Sequence, residues 1–175
     1  MKDIEFMKKY LEENLVKGRY LHTLGVVETS KSLAKIYGVD IKKAEIAALA
    51  HDIAKNLSSE QLLKIIEANN ITSIVGPIVA REHFEIEDEE ILSAIRWHTT
   101  GKENMSKLDK IIYLADMIEP SRDFSGVEEL RNDSKDDLDK AMLNALTHTI
   151  KYLLENKNAI IIGNTAKIAP TIICP

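Results

Sequence analysis

The sequence predicts an all-α fold, and two observations predict it. Glycine and proline are scarce, 7 and 4 in 175 residues, so few positions interrupt a helix. Long stretches also repeat apolar residues every three to four positions, the period of a helix with one buried face. No internal repeat, low-complexity tract or Ser/Pro linker divides the chain, so a single helical domain over 1–175 is expected. That length is enough to bury a proper core.

Helices are expected over 3–16, 20–37, 41–55, 59–69, 73–84, 87–98, 106–118 and 134–156. Gly18, Gly38, Gly101 and the Pro120-Ser121 step punctuate them as stops or turns. In the second helix His22 shares a face with Val26, Thr29 and Leu33, which turns it toward the core. In the third, His51 lines up with Ala44, Ala47 and Ala48, residues small enough for neighbouring helices to approach closely, and Asp52 lies ~100° round from it. The helix over 87–98 ends in Trp97-His98 followed by Thr99-Thr100-Gly101, which by itself reads as a C-terminal cap. The helix over 106–118 sets one carboxylate, Asp116, inside the apolar run from Ile111 to Ile118. The segment from Asn158 to Pro175 is Ile-rich around Gly163-Asn164 and suggests a short hairpin or an extended C-terminal arm.

A net charge of −5 without a Lys/Arg block excludes the broad basic surface that nucleic-acid polymers require. No stretch approaches the ~20 apolar residues needed to cross a bilayer, and no membrane partner is expected. The single cysteine, Cys174, cannot form an internal disulfide, and a cytoplasmic, reducing location fits. A homodimer is compatible with the sequence, although no unpaired apolar face identifies one.

An adjacent His-Asp pair in a run of small apolar residues needs a partner, because burying a carboxylate alone costs several kcal/mol. Asp116 poses the same problem in its own helix. His22, His51, Asp52 and Asp116 make two imidazoles and two carboxylates on three helices, a nitrogen and oxygen set suited to a divalent transition metal. A single histidine on an apolar face is more often a hydrogen-bonded core residue, and a single helical Asp more often a cap. The conjunction of the four, and above all the adjacent pair, favours a shared ion.

These residues resemble the pattern of the HD superfamily of metal-dependent phosphohydrolases, a His, a His-Asp pair and a distant Asp. Four segments extend the likeness: Arg19-Tyr-Leu-His22-Thr-Leu-Gly-Val, Ala-Ala-Leu-Ala-His51-Asp52-Ile-Ala-Lys55, Ala94-Ile-Arg-Trp-His98-Thr99-Thr100-Gly101 and Tyr113-Leu-Ala-Asp116-Met-Ile-Glu119-Pro120-Ser-Arg122. Together they are similar to the YqeK-type symmetrical diadenosine tetraphosphate hydrolases over residues 6 to 156. The resemblance implies an all-helical HD domain and a metal on His22, His51, Asp52 and Asp116. Iron is the first expectation, with manganese or zinc as alternatives. It also implies symmetrical cleavage of a small nucleotide substrate to two ADP, with Arg19, Lys55, His98 and Arg122 around the phosphates. Thr72 stands where the family pattern has a further histidine, and the chain lacks the family's Tyr-Asn ending.

The chemistry is consistent with that reading. Four linked phosphates carry much negative charge, which a metal, Lys and Arg hold and offset. A water activated by the ion is the expected nucleophile, with Asp52 or His98 taking its proton and Lys55 beside them. Other readings are an HD-type nucleotidase or nucleoside triphosphate hydrolase, a non-catalytic nucleotide-sensing HD domain, or a helical interaction protein whose inward polar groups bond one another. His83 and His148 have no matching motif and are expected to be structural or exposed.

Overall fold

The structure, a computed structural model, describes residues 1–69 and 75–156. Thr72 and the proposed arm or hairpin at the C-terminus lie outside these residues. Nine helices and no strands are found among the described residues: α1 (Ile4–Asn14), α2 (Lys17–Tyr37), α3 (Ile41–Ala50), α4 (Ser59–Ala68), α5 (Gly76–Phe84), α6 (Glu89–Trp97), α7 (Lys107–Ile118), α8 (Val127–Asp136) and α9 (Leu138–Asn156). The all-α expectation holds.

Local chemistry explains where many of them begin. Asp3, Asp40, Ser58, Asp88 and Ser106 each accept a hydrogen bond from free backbone N–H groups in the first turn that follows, worth ~1 kcal/mol apiece. Gly38 ends α2 with φ 67°, a left-handed conformation that glycine adopts without steric cost.

Three expectations are corrected. Gly18 is not a stop but lies in the first turn of α2, where the backbone starts at Lys17. The helix expected over 41–55 ends at Ala50, because the following bonds from Ile53, Lys55 and Leu57 reach back three residues rather than four. The periodic run over 134–156 is two helices, not one. Asp137 is extended (φ −148°, ψ 113°), and its carboxylate accepts from the N–H groups of Asp139 and Lys140, which restarts the chain as α9. Helix α8 itself was not expected, since Val127 and Leu130 are its only large apolar residues.

Helix α7 lies at the centre, packed against α2, α3, α6, α8 and α9. Leu108, Ile111, Ile112, Leu114 and Ala115 are wholly buried along it, and Tyr113 nearly so. A helix apolar nearly all round belongs inside the bundle, and each such Leu or Ile contributes about 1.5–3 kcal/mol by burial. Ala44, Ala47, Ala48 and Ala50 of α3 are also wholly buried, so α3 sits closely against α2. The three helices that carry the expected ligands, α2, α3 and α7, therefore all touch one another. None of the described helices is long and apolar enough to cross a membrane.

Candidate metal centre

His22 stands in the second turn of α2, His51 is the residue that closes α3, Asp52 follows it in the turn, and Asp116 lies in the last turn of α7. One ligand atom from each of His22, His51 and Asp52 lies within 4.8 Å of the others, and all three residues are buried. Asp116 joins the group through His22: its Oδ1 approaches His22 Nε2 to 3.0 Å. The four expected side chains thus converge, although the His-Asp pair caps a helix rather than sitting inside one.

The ring nitrogens are ordered by what faces them. His51 Nδ1 lies 2.6 Å from the Ala48 carbonyl oxygen, and His98 Nδ1 lies 2.8 Å from that of Ile95. His22 Nδ1 faces Glu119 Oε1 at 3.0 Å. A carbonyl or a carboxylate oxygen can only accept, so each Nδ1 carries a proton and donates it. The neutral form of each ring then has a bare Nε2; at His22 the Asp116 carboxylate comes to 3.0 Å of Nε2 but is not aligned to form a hydrogen bond with it, whereas Glu119 is aligned with Nδ1. His22 Nε2, His51 Nε2 and Asp52 Oδ1 are all buried without a hydrogen-bond partner. Buried polar atoms are rarely left so, and three together around one point fit a cation better than a hydrogen-bonded core network.

Charge balances the site. Burial would raise Asp52, yet the His51 and His98 imidazoles and the Lys55 ammonium hold its carboxyl far below the usual range. Burial would likewise raise Asp116, and His22, with the cationic groups beyond it, holds it low. His22 is pulled down by burial but raised on balance by the Asp116 and Glu119 carboxylates. Both aspartates are therefore ionised at neutral pH, the form in which they ligate.

Arg19, Lys55, His98 and Arg122, the residues expected around the phosphates, all border the two aspartates. Arg19 Nη1 donates to Asp52 Oδ2 at 2.6 Å, and Arg122 donates to Asp116 Oδ1 at 2.6 Å and to the Asp116 carbonyl at 2.8 Å. Lys55 Nζ is 3.7 Å from Asp52 Oδ1, with about half of its side chain in solvent. His98 Nε2 lies 3.5 Å from Asp52 Oδ1. Two cavities with no lining residue in common border this group. One, of about 510 Å³, is walled by Arg19, His22, Ser121, Arg122 and Phe124. The other, of about 260 Å³, is walled by Asp52, Lys55, Leu62, Ile95 and His98. His83 is exposed against the Tyr10 ring and His148 is half-buried against Phe124, and neither lines either cavity.

Glu119 is the residue sequence reasoning missed. It is 1% exposed, and nothing in Glu119-Pro120-Ser121 marks it as buried. Its signal lay elsewhere, in Gly25 within the quoted His22 segment: a Cβ there would stand 2.6 Å from Glu119 Oε2.

The HD domain family model matches residues 19–121, which carry all four converging side chains. The chain belongs to the HD domain family. A symmetrical bis(5'-nucleosyl)-tetraphosphatase of Halalkalibacterium halodurans is 42% identical over 171 residues, covering 91% of this chain and 89% of that protein. The Bacillus subtilis protein of the same name is 36% identical, covering 86% of this chain and 87% of its own length. A crystal structure from Clostridium acetobutylicum, described as a predicted HD superfamily hydrolase involved in NAD metabolism, has a TM-score of 0.93 and 39% identity, covering 99% of this chain and 98% of that one. HD domains bind divalent metals, and His22, His51 and Asp52 form a group that could hold such an ion.

Proposed function

We propose that this protein hydrolyses bis(5'-nucleosyl) tetraphosphates symmetrically, diadenosine tetraphosphate to two ADP, with the 1–175 chain acting as one domain. The observation that carries the reading is the set of three buried atoms without a hydrogen bond, His22 Nε2, His51 Nε2 and Asp52 Oδ1, flanked by Arg19, Lys55 and Arg122. The names of relatives covered over nearly their whole length support the substrate.

His22, His51, Asp52 and Asp116 would hold the metal, iron in the first instance, with manganese or zinc as alternatives. Bound there, the ion supplies Lewis-acid chemistry that eases deprotonation of a water and offsets charge on the phosphoryl oxygens. Arg19, Arg122 and Lys55 hold the polyphosphate and its developing charge, each through N–H donors that match phosphate oxygens. His98 Nε2, left bare by donation of the Nδ1 proton to the Ile95 carbonyl, can accept the proton of the attacking water. Asp52 Oδ1 is the alternative acceptor. The two cavities beside the ligand set, one reaching His22 and the other His51 and Asp52, give each half of a dinucleotide a place to extend.

Product analysis tests the reading. Metal-reconstituted protein given diadenosine tetraphosphate should yield ADP alone. AMP with ATP, or turnover of single nucleotides only, would replace it with another HD hydrolase. Nucleotide binding that survives metal removal, without turnover of any kind, would replace it with a sensor.

A further inference from the structure

We propose that Glu119 is a positioning residue for the metal centre: its carboxylate, admitted by Gly25, holds His22 in the tautomer and orientation that present a bare Nε2 to the ion. The inference rests on the reading of His22 as a ligand. Burying a carboxylate costs several kcal/mol unless it is fully bonded, and Glu119 is buried and fully bonded. Oε1 accepts from His22 Nδ1 at 3.0 Å and from the Ser121 hydroxyl, while Oε2 accepts from the Ser121 N–H at 2.8 Å. The Arg122 guanidinium approaches Oε1 to 3.7 Å.

A cap for the turn after α7 would need only the Ser121 contacts, which a glutamate facing solvent could also make. Here the side chain is instead sunk against α2, across 97 positions of sequence. Helix α2 makes room for it: at Gly25, one turn beyond His22, a Cβ would stand 2.6 Å from Oε2 and 3.3 Å from Cδ. The other side of the pocket is also fixed, since Arg131 donates to the Glu119 carbonyl at 2.9 Å. Two long-range features therefore serve one ring nitrogen. His51 reaches the same tautomer by donating to the Ala48 carbonyl of its own helix. His22 has no such bond and depends on Glu119. A carboxylate behind a ligating imidazole also raises its basicity, and loss of such partners weakens metal affinity by roughly 10–100-fold.

The test uses full-length protein and two readouts. In the metal-free wild type, at a pH where the ring is neutral, long-range ¹H–¹⁵N correlation should show His22 protonated on Nδ1. Glu119→Ala should release it into a mixture containing the Nε2–H form. Affinity for Mn²⁺, measured by chelator competition, should fall about 10–100-fold in Glu119→Ala and comparably in Gly25→Ala, which keeps the carboxylate but displaces it. Glu119→Gln retains an acceptor oxygen of the same shape and should stay within about tenfold of the wild type. Circular dichroism on each variant separates loss of fold from loss of position. A wild-type His22 protonated on Nε2 overturns the inference whatever the variants do. Unchanged Mn²⁺ affinity in folded Glu119→Ala and Gly25→Ala, with binding lost in His22→Ala, overturns it while leaving the metal reading intact. A wild type with the Nδ1–H form that binds no Mn²⁺ removes the metal reading itself, and this inference with it.

Discussion

The two sides of the metal centre are built by different means. At the end of α3, His51 and Asp52 are neighbours in the chain, and His51 is held by a carbonyl three residues back. At the corner between α7 and α8, Asp116, Glu119 and Arg122 are spread over seven residues, and contacts from elsewhere hold them in place. Arg131 of α8 binds the carbonyls of Ile118, Glu119 and Arg122, all at 2.9 Å, and so ties that corner to the core. The orientation of His51 is coded locally, whereas Glu119 and the carbonyls around it meet their partners only once distant helices have packed. A site that joins both forms a complete ligand set only in the fully folded chain.

Removing a ligand from the local side should have the largest effect. Asp52→Ala deletes one of the three mutually close ligand atoms and should cost about a thousandfold or more in turnover, the equivalent of several kcal/mol of charge stabilisation, along with stoichiometric metal. Asp116→Ala should cost less metal affinity, because Asp116 approaches the set only through His22. Elemental analysis and kcat for the two variants check the order, and equal losses would break the asymmetry. Next in size is Arg131→Ala. It leaves three carbonyls without their donor and should destabilise the fold by about 2 kcal/mol, or ~4–8 °C in Tm. The weakened corner should appear as a raised KM with His51 and Asp52 still in place. A variant with reduced Tm but wild-type KM would show that the corner does not need its tie.

The smallest expected effect lies in the clasp between α8 and α9. Lys140 and Asn144 bond the Asp133 carboxylate and lower its pKa, and Asp133 in turn raises that of Lys140. A depressed carboxyl contributes stability above the ordinary Asp value near pH 4, and this is lost as pH falls through its folded value. A raised ammonium contributes below about pH 10 and loses its contribution as pH rises past its folded value. Stability from this pair should therefore be flat between roughly pH 4 and 10 and fall at both ends. Asp133→Asn should flatten both declines in a Tm–pH series without changing turnover at pH 7.

What the sequence revealed follows the same division. His22, His51, Asp52 and Asp116 stood out because a polar residue in an apolar helical segment is conspicuous. Glu119 did not, since its burial comes from a missing side chain on α2 and from Arg131 on α8 rather than from its own neighbours. Helix α8 escaped the periodicity because Glu128, Glu129, Arg131 and Asn132 outnumber its apolar residues, while its role is to carry Arg131. The overlong third helix has a related cause: Ile53 and Ala54 keep the apolar pattern running past Ala50, and only the tighter turn geometry shows where the helix stops.

The two Nδ1 contacts bear on how the site would respond to losing an ion. The Ala48 carbonyl and the Glu119 carboxylate grip the His51 and His22 rings from behind, so neither orientation relies on a bond to a cation. Stripping the protein with a chelator should therefore leave its helical circular dichroism unchanged, and reloading should need no refolding step.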